Sequence, residues 1–146
     1  MKPFVISIGV GLLMTMSVWA QGTPAPEGAK VYFIGLEDGD TVASPVTVVF
    51  GLEGMGVAPA GTEKDNTGHH HLLLNRPPIG EGEEGAEELE YGLPADDNHI
   101  HFGGGQTQTT IDLPSGTHTM QLVLGDLNHI PHSPVVASDV ITITVE

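Results

Sequence analysis

Residues 113–126 read Leu-Pro-Ser-Gly-Thr-His-Thr-Met-Gln-Leu-Val-Leu-Gly-Asp, LPSGTHTMQLVLGD. Pro114–Gly116 is a tight turn. After it His118, Met120, Leu122 and Leu124 recur at every second position, as on a strand with one buried face. The preceding TQTTIDL (107–113) places Thr109, Ile111 and Leu113 on one side in the same way. The two segments read as an antiparallel hairpin closed by the proline-glycine turn, which fixes the direction of both strands.

The same punctuation runs through the rest of the chain. KVYFIGL (30–36) is rich in β-formers. PVTVVFGLEG (45–54) puts Val46, Val48, Phe50 and Leu52 on one face. HHHLLLN (69–75) follows, and SDVITITVE (138–146) directs Ile141, Ile143 and Val145 inward. A weak further strand is expected near Leu89–Leu93. Six clear strands without a convincing helical period give an all-β fold, a single antiparallel β-sandwich of immunoglobulin or fibronectin-III type.

Lys2, the apolar run Phe4–Val18, and Val18 and Ala20 ahead of Gln21 form a secretory signal peptide, cleaved after residue 20. The run is shorter than the roughly 20 residues of a membrane span. The expected organisation is a signal peptide (1–20), a flexible Pro/Gly linker (21–29) and a sandwich domain (30–146) with an acidic loop at about 75–98. The expected location is periplasmic or secreted, with no membrane attachment after cleavage. There are no cysteines. Thiolate metal sites, cysteine nucleophiles and disulfides are excluded, and packing alone must hold the domain together.

The net charge is −15 at pH 7, with only four lysines and arginines. Such a surface repels phosphate backbones and anionic membranes, so nucleic acid is excluded as a partner and cations are favoured. EGEEGAEELE (81–90) concentrates six glutamates in ten residues. It reads as a solvated, mobile loop; the Asp/Asn alternation of a helix–loop–helix calcium site is missing.

The chain has eight histidines, an excess for its size. His118 shares the face of Met120 and Leu122 and reads as a hydrogen-bonded structural residue at the turn. The other seven follow from strand direction. His69, His70 and His71 open the strand 69–75. His99 and His101 lead into the strand 107–113. His129 and His132 lie in the loop after the strand 117–126. Three loops distant in sequence therefore meet at one end of the sandwich. On a strand, His69 and His71 point one way and His70 the other. HIH (99–101) repeats the H-x-H pair, Pro131 bends HIPH (129–132), and HFGGGQT (101–107) lets backbone turn sharply. Clustered imidazoles suit copper(II), zinc and nickel. Asp126, Asn98 and Gln106 are the nearest groups able to orient the rings.

GHHHLLLN, HIHFGGGQTQTTIDLPSGTHTMQLVLGDLNHIPHSPVVAS and ITITVE resemble an exported bacterial family known as domain of unknown function 4399. The resemblance covers roughly residues 31–145 and is most specific in the three histidine regions. It implies a small periplasmic or secreted domain and carries no activity and no catalytic residues. The chain departs from the family pattern at Ser133-Pro134-Val135, where a second proline is expected. As a fold analogy only, small periplasmic copper carriers are similar in being cysteine-free sandwiches with histidine ligands near one end.

The leading expectation is a metal-binding protein for buffering or trafficking, with copper(II) ahead of zinc. Its ligand pool is His69, His71, His99, His101, His129 and His132, four used at a time. One alternative is a metal-dependent enzyme of unassigned reaction; no esterase elbow, phosphate loop or H-E-x-x-H helix is present. The other is an interaction or small-ligand module with a structural histidine network. No protein partner is indicated.

Overall fold

The computed structural model describes residues 22–146. The expected signal peptide and Gln21 lie outside the described residues. The chain order is β1 (Lys30–Ile34), β2 (Thr41–Val42), β3 (Val46–Glu53), β4 (Gly56–Val57), β5 (Thr67–Leu74), α1 (Gly82–Tyr91), β6 (His99–His101), β7 (Gln108–Ile111), β8 (Gly116–Gly125) and β9 (Ile141–Val145). No helix among the described residues is long and apolar enough to cross a membrane.

The strands form a sandwich. One sheet has the order β1–β3–β7; the other has the order β2–β9–β8–β5–β4, with β6 also paired to β5. The inward faces are those the alternation gives. Val46, Val48 and Phe50 of β3 oppose Met120, Leu122 and Leu124 of β8 and Ile143 of β9 in one core. The turn at Pro114–Gly116 differs from the expected hairpin. β7 pairs with β3 and β8 with β5 and β9, so the turn carries the chain from one sheet to the other. Chain direction still reverses there, and the end of the sandwich assigned to each histidine segment is unaffected.

β5 is the central departure from simple alternation. It is buried along nearly its whole length, on both faces. Leu72 and Leu74 enter the main core. Leu73, on the opposite face, packs with Leu93 and Val123 in a second cluster joined by Ile79 and Ala137. The 75–98 excursion supplies Ile79 and Leu93, so it folds back over the outer face of β5 and β8.

Within the excursion, residues 82–91 form a helix, where a mobile loop with a weak strand near Leu89–Leu93 was expected. Glutamate is a good helix former, and acidic groups in the first turn complement the positive end of the helix dipole. Gly92, at φ 93°, ends the helix in a conformation that favours glycine. Among the helix residues whose burial is described, the covered face is short, consisting of Gly85 and Glu88 with Leu89 partly covered. Three positions are too few to register as a helical period.

The segment expected as a linker makes contacts of its own. Thr23 N donates to Asp126, and Ala25 N and Ser133 N bond to Ser133 O and Thr23 O.

Leu122 is fully buried in the main core. Leu122→Ala should lower unfolding stability by roughly 2–5 kcal/mol, read from denaturant midpoints. A change within error would mean that β8 does not carry the core.

Candidate metal centre

Register builds the site. β5 and β6 are antiparallel, pairing His71 with His101 and Leu73 with His99. An H-x-H pair on each strand thus places His69 and His71 beside His101 and His99 on one face. That face is the outer side of the six-stranded sheet. His70 points the other way, its ring 5.0 Å from Phe50 in the core. The histidines were expected to cap the end of the sandwich; they lie near that end, but on a sheet face and not between the sheets.

Two glycines make room for the rings. A Cβ on Gly125 would come within 2.8 Å of His71 Nε2. A Cβ on Gly103 would fall 2.3 Å from the His101 ring. Gly125 is the cross-strand partner of His69, so β8 offers an open floor beneath the cluster.

His129 arrives from the β8–β9 loop with φ 67°, a left-handed conformation unusual for a side-chain-bearing residue. Its N–H donates to Asp126 O and its carbonyl accepts from Leu93 N at 2.7 Å. The Asp126 carboxylate accepts from Asn128 N at 2.8 Å, Ile130 N at 3.0 Å and Thr23 N at 3.2 Å. Asp126 shapes the loop that presents His129. Asn98 and Gln106, the other groups expected to orient rings, bond backbone instead, Asn98 at Leu74 O and Gln106 at Gly104 N.

Five rings form one cluster. The His129 ring lies 4.6 Å from that of His101 and 5.0 Å from that of His69, centre to centre. His69 and His71 are 4.8 Å apart, His71 and His101 5.0 Å, and His71 and His99 5.3 Å. The Nε2 atoms of His69 and His71 share a hydrogen bond of 3.0 Å, one donating and the other accepting. One ligand atom from each of His69, His71 and His101 falls within 4.8 Å of the others, so these three can hold a metal ion. His99 touches His71 but is bonded through Nδ1 to Arg76. His132 stands apart from the cluster, with Nδ1 2.9 Å from Thr23 Oγ1 and Nε2 facing Gly68. His118 lies at the other end of β8, where Nε2 donates to Pro114 O at 2.8 Å and Nδ1 accepts from Asn75. Arg76 and Glu88 were missed in the sequence. The available signal was that Arg76 is the single arginine in an acidic chain, directly after β5.

Residues 48–146 match the family model described as domain of unknown function (DUF4399). The chain belongs to this family. The matched span contains all eight histidines. No curated protein and no solved structure matches the chain.

The cluster of this family member is electrically unusual. Burial, then the neighbouring rings of His101 and His129, lowers the pKa of His69 to about 4. Burial and four other histidines lower that of His71 to about 2. Burial and the Arg76 charge lower that of His99 to about 4. Burial also lowers His101, His132 and His70; at His70 the Gln106 backbone offsets part of the effect. The rings of His69, His71, His99 and His101 are therefore neutral at pH 7, the form that offers a lone pair to a metal. His69 Nδ1, His71 Nδ1 and His101 Nε2 are buried without hydrogen-bond partners.

These depressed values set a pH dependence. Between about pH 6.5 and 4 the unfolded chain binds protons that His69 and His99 refuse when folded, so stability falls as pH falls. The thermal midpoint of metal-free protein should drop steadily from pH 7 to 4. A flat profile over that window would contradict the buried, neutral cluster.

Proposed function

We propose that this is a metal-binding protein of the periplasm or extracellular space that holds copper(II), in preference to zinc, on His69, His71 and His101, with His129 closing the set. The observation that carries this reading is the convergence of three imidazoles, His69 and His71 buried and His101 half-buried, with ligand atoms within 4.8 Å of one another. Two metal–nitrogen bonds of about 2.0–2.1 Å span at most about 4.2 Å. Ring movements of less than about 1 Å would bring all three onto one ion.

The donor set favours copper(II). Imidazole nitrogen suits it, and it leads the first-row divalent series in intrinsic affinity. The acidic surface draws cations toward the protein but adds little affinity at physiological salt. Buffering or trafficking of the metal in an exported compartment is the role such a site would serve. Export itself rests on the signal-like first 20 residues. A metal-dependent reaction would additionally need a placed general base, and the Asp126 carboxylate is already engaged by three backbone amides.

The test is elemental analysis of untagged mature protein, stripped, exposed to equal copper(II), zinc and nickel, and dialysed. Near-stoichiometric copper is expected, and the double variant His71→Ala/His101→Ala should retain none while unfolding cooperatively. No retained metal in the wild-type protein would leave the cluster as a structural network. A double variant unable to fold in the absence of any metal would mean the same.

Gly125→Ala gives a separate check, since its methyl would fall within 2.8 Å of His71 Nε2. Copper affinity should weaken at least tenfold, measured by chelator competition. Unchanged affinity would remove His71 from the ligand set.

A further inference from the structure

Arg76 Nη1 lies 3.0 Å from His99 Nδ1, and Arg76 Nη2 is paired with Glu88 of α1. A guanidinium donates hydrogen bonds, never accepts them, and keeps its proton in proteins. His99 Nδ1 must therefore be the acceptor, and the proton of the neutral ring must sit on Nε2. The rival arrangement, with Nδ1–H donating to Glu88, is not made: Glu88 Oε1 is 3.7 Å away, beyond hydrogen-bond range.

This leaves His99 with no atom for a metal. Nδ1 is occupied by Arg76, and Nε2 carries a hydrogen in place of a lone pair. The ring is nevertheless completely buried, stands perpendicular to His71 at 5.3 Å, and has no acceptor for its Nε2–H. An unpartnered buried donor beside a ligand cluster needs something to receive its hydrogen bond.

The charge balance indicates what that is. Neutral imidazoles leave the charge of a divalent ion intact. The Asp126 carboxylate already accepts from Thr23, Asn128 and Ile130, and the Glu88 carboxylate is paired with Arg76. An oxygen or small anionic ligand on the ion would offset the charge and accept the hydrogen bond.

We propose that Arg76, braced by Glu88, holds His99 as its Nε2–H tautomer, so that His99 is not a metal ligand but a positioning donor to a non-protein ligand on the ion, a water, a hydroxide or a small anion. The tautomer is a property of the metal-free protein. The donor role rests on the metal-binding reading.

Long-range 1H–15N spectra of histidine-labelled protein separate the two. In metal-free protein His99 should show a protonated Nε2 and an unprotonated Nδ1. Arg76→Met should mix the tautomers, and Arg76→Lys, which keeps a donor, should restore the single form. An Nδ1–H form in the wild-type protein would overturn the proposal. Zinc, used as a diamagnetic probe, should shift ring nitrogens of His69, His71 and His101 while His99 keeps its Nε2–H. A coordination shift at His99 would also overturn it. No zinc or copper binding at all would remove the donor role along with the metal reading, with the tautomer still decided by the metal-free spectrum. In copper-loaded protein, azide followed by its charge-transfer band should bind about tenfold more weakly to His99→Phe than to wild type, with His99→Gln recovering part of the loss. Equal azide affinity would defeat the donor role.

Discussion

The pairing of β5 with β8 on one side and β6 on the other is the constraint from which the rest follows. It matches His71 with Val123 and with His101 at once. Side chains alternate along a strand, so this register decides which of the strand-borne histidines meet. A slip of one residue would send His69 and His71 into the core and Leu72 outward. The leucines forbid the slip, because Leu72 and Leu74 are locked among Phe50, Met120 and Leu122. Hydrophobic burial on one face of the strand thus aims the imidazoles on the other.

A strand facing solvent on its outer side would have left those imidazoles wet and of ordinary basicity. The excursion between β5 and β6 prevents that. It fastens to the sheet through Leu93 against Leu73 and Val123, through Leu93 N on His129 O, and through Arg76, held by Glu88, on His99 of β6. Burying ring nitrogens without partners costs about 1–3 kcal/mol apiece. The fold carries that cost on the strength of a well-filled core. Local rules broken at a site while being obeyed elsewhere are the usual mark of function.

Much of this was legible in the sequence. Strict alternation in residues 46–52 and 118–124 gave the sheet faces, and strand direction brought three histidine segments together. His118 was separable from the others because it shares a face with Met120. Less was legible where the cause is tertiary. Whether His69 and His71 face the core or the outside depends on Leu73 having a partner, and that partner, Leu93, lies 20 residues away. α1 buries too few positions to show a period. His129 and His132 look equivalent in HIPH. Only the loop geometry set by Asp126 sends His129 to the cluster, and His132 bonds Thr23.

A cation beside a metal site is costly unless it serves another end, and this chain has few cations to place. Arg76 lowers the basicity of His99 and occupies its Nδ1. Glu88 compensates the guanidinium charge within the same buried pair, so the ion would not feel an isolated arginine. The pair also ties α1 to the ring, linking the seating of the acidic excursion to the state of the site. The glutamates of α1 then have two separable roles. Glu88 holds a buried arginine, and its exposed neighbours leave the outer surface acidic, which favours approach of cations over anions. On the proposed metal-binding reading, the long-range field would favour approach of the cation, and the local donor would favour a ligand on it. A site assembled from neutral rings requires both.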